Sequence, residues 1–515
     1  MNASASSALR PEHPLSRSLA QLVAEFSLET RGSVDGLEVS GVSLNSASVH
    51  PGDLYVGVPG RNSHGARYAQ AAADAGAVAV LTDAAGADTA AGSGLPVLLT
   101  PDPRAALGAV AAWVHRTQEN PATLFAVTGT NGKTSVVYLL SALLTQLGVV
   151  SGLSSTAERR IGDTAVVSSL TTPEATELHS LLARMREEEV RAVAVEVSAQ
   201  ALTRHRVDGV VFDVAGFTNL SHDHLDDYDE MEEYFEAKLA LFDPERSRRG
   251  VVTLDSDWGR RLAAQSRIPV TTLSSSAGAD AEWILQITSE SLERTEFSLE
   301  GPEGRRLVTS VPLPGSYMAA NAALAIVMLV ESGYDLDAIA HVLERDGSID
   351  VYIPGRLERV SGEGGPTVFV DYGHTPDAFL STLASLRRVT DGRIVMVFGA
   401  DGDRDTTKRG DMGAIAARGS DALVITDFHP RSEDPAEIRA ALIAGARHAV
   451  PDLELYEVAD VHEAFRKALS LTGEGDVLLY AGPGHEDYRE VAGQHLPYSA
   501  RDDARLALRE AGWLA

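Results

Sequence analysis

The residues Thr123-Leu124-Phe125-Ala126-Val127 form a nearly unbroken apolar run that ends at a glycine-rich turn. That length and composition predict a strand buried on both faces. Past the turn, VVYLLSALLTQLG (136–148) carries apolar residues at helical spacing and predicts a helix. Strand, turn and helix in that order open a parallel α/β domain. Beyond VYIPGRLERV (351–360) strands and helices alternate: TVFVDY, PDAFLSTLASLRRV, RIVMVFG, the stretch around MGAIAARG, ALVITDF, PAEIRAALIAGARHAV, LELYEV, a helix and DVLLYAG. Such alternation predicts a doubly wound, Rossmann-like sheet with its ligands at the carboxyl ends of the strands. Before residue 118, short strands such as Asp53 to Val58 and Ala77 to Leu81 mix with Ala-rich helical stretches. The whole reads as an α/β protein of three domains, 1–118, 119–350 and 351–515, in keeping with about 150 residues per domain.

Composition narrows the partners. With 44 Lys+Arg against 73 Asp+Glu, the formal charge of −29 argues against nucleic acid or an anionic membrane. A polyanionic small molecule would then need a local phosphate site. No stretch approaches the roughly 18 apolar residues of a membrane span, and the Ser/Ala-rich start lacks the apolar core of a secretory signal. A monomer in the cytoplasm is the expectation. The absence of cysteine removes disulfides, thiolate nucleophiles and Cys-bound zinc.

The local phosphate site is legible in Gly129-Thr130-Asn131-Gly132-Lys133-Thr134-Ser135. Its glycines let backbone N–H groups close on a phosphate, Lys133 adds a point charge, and the Thr134 hydroxyl suits Mg²⁺. Chance alone yields Gly-Lys-Ser/Thr in about a quarter of chains this long. The first glycine of the usual P-loop would fall at Val127. Context lifts the signal, because a buried strand precedes the loop and a helix N-terminus follows it.

Twelve boxes, in order along nearly the whole chain, add to that loop: LNSASVHPGDLYVGVPG, GTNGKTS, LTTPE, VEVSAQAL, FTNLSHDHLD, YFEAKLALF, LPGSYMAAN, PGRLERV, VDYGHTPDA, FGADGDRD, TDFHPRSEDP and AGPGHEDY. Together they resemble the Mur ligase family, most closely the branch that adds the third residue of the peptidoglycan stem to UDP-N-acetylmuramoyl-L-alanyl-D-glutamate. The resemblance implies three domains that bind the UDP-sugar, ATP and the incoming amino acid in turn. It implies ATP as substrate and Mg²⁺ as cofactor, with Lys133, Glu196, His224 and Lys238 catalytic. Thr134, Glu196, His224 and a carbamylated Lys238 would hold the metal. Gly129 to Ser135, Asn321 and Arg356 would contact the nucleotide. Leu44, Ser46, Arg61, Asn62, Ser63, Thr171, Thr172, Ser198, Arg204 and Arg206 would contact the UDP-muramoyl peptide. The chain has Asn45-Ser46-Ala47 where the family commonly has Asp-Ser-Arg.

The amino-acid pocket is implied at Arg404, Phe428, His429, Pro430, Arg431, Gly482 and Glu486. Family members specific for meso-diaminopimelate typically read Asp-Asn-Pro-Arg at the middle stretch, and those for lysine lose the Arg. Here Phe428 and His429 replace the first two while Arg431 stays, and Pro483 replaces a lysine of the usual Gly-Lys-Gly-His-Glu. An L-diamino acid such as lysine, ornithine or diaminobutyrate is favoured over meso-diaminopimelate. Asp371 and His374 are candidate bases by residue type. Rival readings are the folylpolyglutamate or D-alanyl-D-alanine-adding branch, or a non-catalytic binder of UDP-muramoyl peptides.

Overall fold

A computed structural model describes residues 9–514 apart from 61, 163 and 224–226. Three main sheets divide those residues. The first has five strands in the order Glu29–Arg31, Val97–Leu99, Ala79–Thr82, Asp53–Gly57 and Gly41–Ser43. All its pairings are parallel except that of Glu29–Arg31. Helix Pro103–His115 closes one face by burying Leu107, Val110, Ala111 and Val114 against Leu54, Val56 and Leu81. Its start is fixed by the Asp102 side chain, which accepts from Arg104 and Ala105 N–H.

The second sheet has eleven strands. Its seven middle strands, from Ser151–Ser154 to Trp283–Glu290 across the sheet, are parallel, with Ala192–Glu196, Thr123–Thr128, Phe212–Phe217, Ser247–Thr253 and Val270–Ser274 between them. The wholly parallel domain expected from the sequence is extended at both edges by antiparallel hairpins, Glu158–Ile161 with Thr164–Val167, and Thr295–Glu300 with Arg306–Val311. The four residues between Glu290 and Thr295 are too few for a crossover helix, so the chain can return only antiparallel. Helices Lys133–Gln146 and Ser316–Glu331 cover one face. Ala175–Glu187 and Met231–Leu239 cover the other.

The third sheet runs Glu358–Arg359, Thr367–Asp371, Val477–Ala481, Ile394–Phe398, Ala422–Ile425, Glu454–Glu457, and is parallel after the first pairing. Its central strands are buried throughout, as their unbroken apolar runs predict. A hairpin that the sequence did not suggest, Tyr488–Val491 with Gln494–Pro497, follows the last strand. Among the described residues no helix is long and apolar enough to cross a membrane.

Candidate active site

The loop after Thr123–Thr128 is held from the side. Thr130 N–H donates to Asn219 O at 2.9 Å, Asn131 N–H to Asn219 Oδ1 at 2.9 Å, and Thr218 Oγ1 to Asn131 O at 2.6 Å. These partners lie just past Phe212–Phe217, the neighbouring parallel strand, so two adjacent strand ends build one cradle. Gly129 and Gly132 take φ of +145° and +89°, and helix Lys133–Gln146 starts at once with Thr134 and Ser135 buried in its first turn.

Charged groups converge on this loop. Lys133 Nζ donates to Gly129 O at 3.1 Å and Thr130 O at 2.8 Å. Burial lowers its pKa, and the nearby Glu196 and Asp223 oppose that shift. Glu196, at the end of Ala192–Glu196, accepts from Thr134 Oγ1 at 3.0 Å and from the N–H and hydroxyl of Thr156 at 2.9 and 3.0 Å. Thr156 was not singled out from the sequence, although it fixes the carboxylate from both sides.

Lys238, on helix Met231–Leu239, is 1% exposed. Its Nζ lies 4.2 Å from the Tyr234 ring centroid and donates to Gly129 O at 2.8 Å. Burial, then the Lys133 charge, pushes its pKa well below the ordinary lysine range. A neutral amine is the form that can take up carbon dioxide, so the environment fits carbamylation, and the oxygens of Thr134 and Glu196 fit Mg²⁺. Among the described residues no three His, Cys, Asp or Glu side chains converge as a metal set. His224 and Arg61, both named from the sequence, lie outside the described residues.

The third sheet reaches into the cradle. Arg356 Nη2 donates to Thr134 Oγ1 at 3.0 Å, with its guanidinium 4.3 Å from the Tyr372 ring centroid. Thr375 Oγ1 lies 3.5 Å from Asn131 Oδ1. Asn321, buried on Ser316–Glu331, faces Gly132. Lys408 Nζ, another residue missed in the sequence, meets Asp223 Oδ1 at 3.0 Å. Asp371, a candidate base by residue type, accepts from Leu357 and Gly373 N–H, each at 2.8 Å, one through each carboxylate oxygen, and so holds the backbone. His374 Nδ1 donates to Tyr372 O at 2.8 Å.

The residues nominated for the UDP-muramoyl peptide do not all meet. Thr172 Oγ1 donates to Glu196 O at 2.7 Å and accepts from Ser198 N–H at 3.0 Å, while Thr171 Oγ1 lies 3.1 Å from Thr156 Oγ1. Arg206 pairs with Glu174 at 2.9 Å beside them. Arg204 instead turns outward to Asp227 with its side chain 53% exposed. Leu44 lines a cleft between the first and second sheets with Asn45, Arg159, Glu174 and Glu177. Ser46 opens a short turn capped by Asn45, and Asn62 and Ser63 lie on the loop after Asp53–Gly57.

The amino-acid candidates gather at the carboxyl ends of the third sheet. Phe428, His429 and Pro430 are buried after Ala422–Ile425. His429 Nδ1 accepts from Glu490 N–H at 2.7 Å, so the ring proton sits on Nε2, which donates to Glu486 Oε2 at 2.8 Å. Gly482, with φ +113°, donates to Asp371 O at 2.9 Å. Arg404 is exposed on the loop from Asp401 to Asp405. Arg431 Nε donates to Glu490 Oε2 at 3.0 Å and Nη1 to Gly402 O at 2.8 Å.

Sequence profiles match the three parts of the chain: "Mur ligase family, catalytic domain" at residues 38–115, "Mur ligase middle domain" at 127–329, and "Mur ligase, glutamate ligase domain" at 355–484. The UDP-N-acetylmuramyl-tripeptide synthetase of Leifsonia xyli subsp. xyli is 74% identical over 514 residues, covering 100% of both chains. The UDP-N-acetylmuramoyl-L-alanyl-D-glutamate--2,6-diaminopimelate ligase of Streptomyces avermitilis is 43% identical, covering 98% of this chain and 97% of its own. A solved structure of a ligase of the latter name has TM-score 0.67 at 25% identity, covering 97% of this chain and 100% of that one.

Proposed function

As this chain belongs to the Mur ligase family, we propose that it is the ATP-dependent ligase that adds the third residue to UDP-N-acetylmuramoyl-L-alanyl-D-glutamate in peptidoglycan synthesis. The observation that carries the reading is the convergence of Lys133, Thr134, Glu196 and Lys238 on one phosphate loop, with Arg356 entering from the third sheet.

A carboxylate does not condense with an amine at neutral pH, because oxide would have to leave. The glutamyl carboxylate therefore attacks the γ-phosphorus of ATP, ADP departs, and an acyl phosphate forms. The amine nitrogen then attacks the acyl carbon, phosphate leaves with the bonding pair, and the nitrogen gives up a proton. Lys133 and the loop N–H groups stabilise charge on the transferred phosphoryl. Thr134, Glu196, His224 and carbamylated Lys238 would hold Mg²⁺, which supplies neutralisation of phosphate charge. Thr172, Ser198 and Arg206 orient the peptide beside Glu196. The Phe428 to Arg431 stretch, Gly482 and Glu486 seat the amino acid, and the approach of the third sheet to the cradle excludes water from the acyl phosphate.

The test is phosphate release by the purified protein with ATP, Mg²⁺ and the UDP-muramoyl dipeptide, run against diamino acids and D-alanyl-D-alanine with product masses checked. One phosphate per tripeptide product is expected. Binding of ATP and dipeptide with no product from any amine would make the chain a binding protein.

A further inference from the structure

Arg431 is the pocket's candidate partner for a carboxylate at the end of a substrate side chain, yet the fold has already engaged it. A guanidinium takes a carboxylate bidentately through Nε with Nη2 or through Nη1 with Nη2. Nε is bonded to Glu490 Oε2 at 3.0 Å and Nη1 to Gly402 O at 2.8 Å, so the Nε–Nη2 edge has lost a donor and Nη1 has one of its two hydrogens engaged. Nη2 lies 3.8 Å from Asp401 Oδ2.

The engagement is built in by the hairpin Tyr488–Val491 with Gln494–Pro497. Arg431 N–H donates to Glu490 O at 3.1 Å, Ala492 N–H donates to Arg431 O at 2.8 Å, and the same strand supplies the Glu490 side chain. Arg431 sits at φ +50° in this clip. Glu490 N–H also fixes His429, whose proton is thereby directed at Glu486.

Around Tyr488 the carboxylates outnumber the Arg431 guanidinium. Asp401, Glu486 and Glu490 share the surroundings of Tyr488 with Arg431. His429 accepts a backbone N–H and so brings no positive charge to Glu486. Among the described residues, Asp401 Oδ1 is buried and has no hydrogen-bond partner. An ammonium suits these carboxylates, whereas a second carboxylate would meet like charges and a guanidinium whose Nε–Nη2 edge is already engaged.

We propose that Glu490 sets the side-chain class of the incoming amino acid: by engaging Arg431 it makes the site take a diamino acid whose side chain ends in an ammonium and carries no second carboxylate. This rests on the reading that the chain adds a third residue to the dipeptide. Glu490 is a positioning residue that acts through Arg431.

The experiment measures kcat and KM for L-lysine, L-ornithine, L-2,4-diaminobutyrate and meso-diaminopimelate with the wild-type enzyme, Glu490→Gln and Glu490→Ala. Thermal unfolding is followed in parallel. The wild type is expected to favour one of the first three over meso-diaminopimelate by at least tenfold in kcat/KM. Either variant is expected to shift that ratio toward meso-diaminopimelate by at least tenfold, mainly through KM. A structural lesion would lower all four together, and that result overturns the proposal. So does a wild type that prefers meso-diaminopimelate, which leaves third-residue addition standing. A wild type that makes no tripeptide with any of the four removes the underlying reading instead.

Discussion

Burial at single residues gives the sharpest predictions. Lys238 is enclosed to 1% exposure, and its pKa is driven down by burial, so a lysine here costs folding free energy that a methionine of similar length would not. Lys238→Met gives up one bond to Gly129 O, about 1 kcal/mol, and relieves that desolvation. Its unfolding temperature should equal or exceed that of the wild type while turnover falls by about 100-fold or more. Retained turnover would remove Lys238 from the chemistry. Burial likewise lowers the imidazoles of His115, His179 and His485 to about 3, 4 and 3. The unfolded chain binds protons at these residues below about pH 6.5 and the folded chain does not, so their stabilisation is complete above that pH and is lost on acidification. Each costs about 1.4 kcal/mol per pH unit down to its folded value. His179 donates from Nε2 to Asp208 O at 2.9 Å and meets the Thr117 hydroxyl at 2.7 Å through Nδ1, a neutral ring fully bonded. Urea midpoints from pH 6.5 to 5 should fall, and His179→Gln should remove about a third of that slope. An unchanged slope would mean that the ring is charged in the folded state.

At the scale of elements, the phosphate loop depends on how closely its neighbours approach. A Cβ on Gly132 would lie 2.6 Å from Asn321 Oδ1, at a φ that side chains seldom adopt. Gly132→Ala should therefore displace the Asn321 amide and strain the loop at that φ, raising KM for ATP by about tenfold or more, measured by ATP titration of initial rates. This strand-turn-helix unit was legible because its strand is buried on both faces and its helix repeats at one period. The same holds for the alternating strands of the third sheet. Trp283–Glu290 was not legible, because it is buried only in part and its exposed positions read as loop. Nor was the hairpin after Ala481, whose second strand is exposed at all four positions. Site residues divided the same way. Lys133, Thr134 and Glu196 announce themselves through local sequence, whereas the burial of Lys238 and the pairing of Glu490 with Arg431, 59 residues apart, are made by tertiary packing.

For the molecule as a whole, the acidic surface leaves recognition of polyanionic substrates to cations gathered where the sheets meet. Arg356 and Thr375 reach the phosphate loop from the third sheet, and Lys408 Nζ meets Asp223 Oδ1 at 3.0 Å with both side chains at most 10% exposed. Next to that pair, His222 Nε2 approaches Asp405 Oδ2 at 3.4 Å. These contacts hold the third sheet against the cradle, the arrangement that the proposed reaction needs if an acyl phosphate is to meet an amine before it meets water. Lys408→Met removes this cation from the buried Asp223 carboxylate and weakens the contact between the third sheet and the cradle. The third sheet should then dwell away from the cradle for part of each cycle, with the acyl phosphate exposed. The expected result is a rise in the amino-acid KM and more than one phosphate released per tripeptide formed, read by following both products in the same reaction. A lower rate with the ratio still at one would mean that Lys408 supports folding or binding without guarding the intermediate.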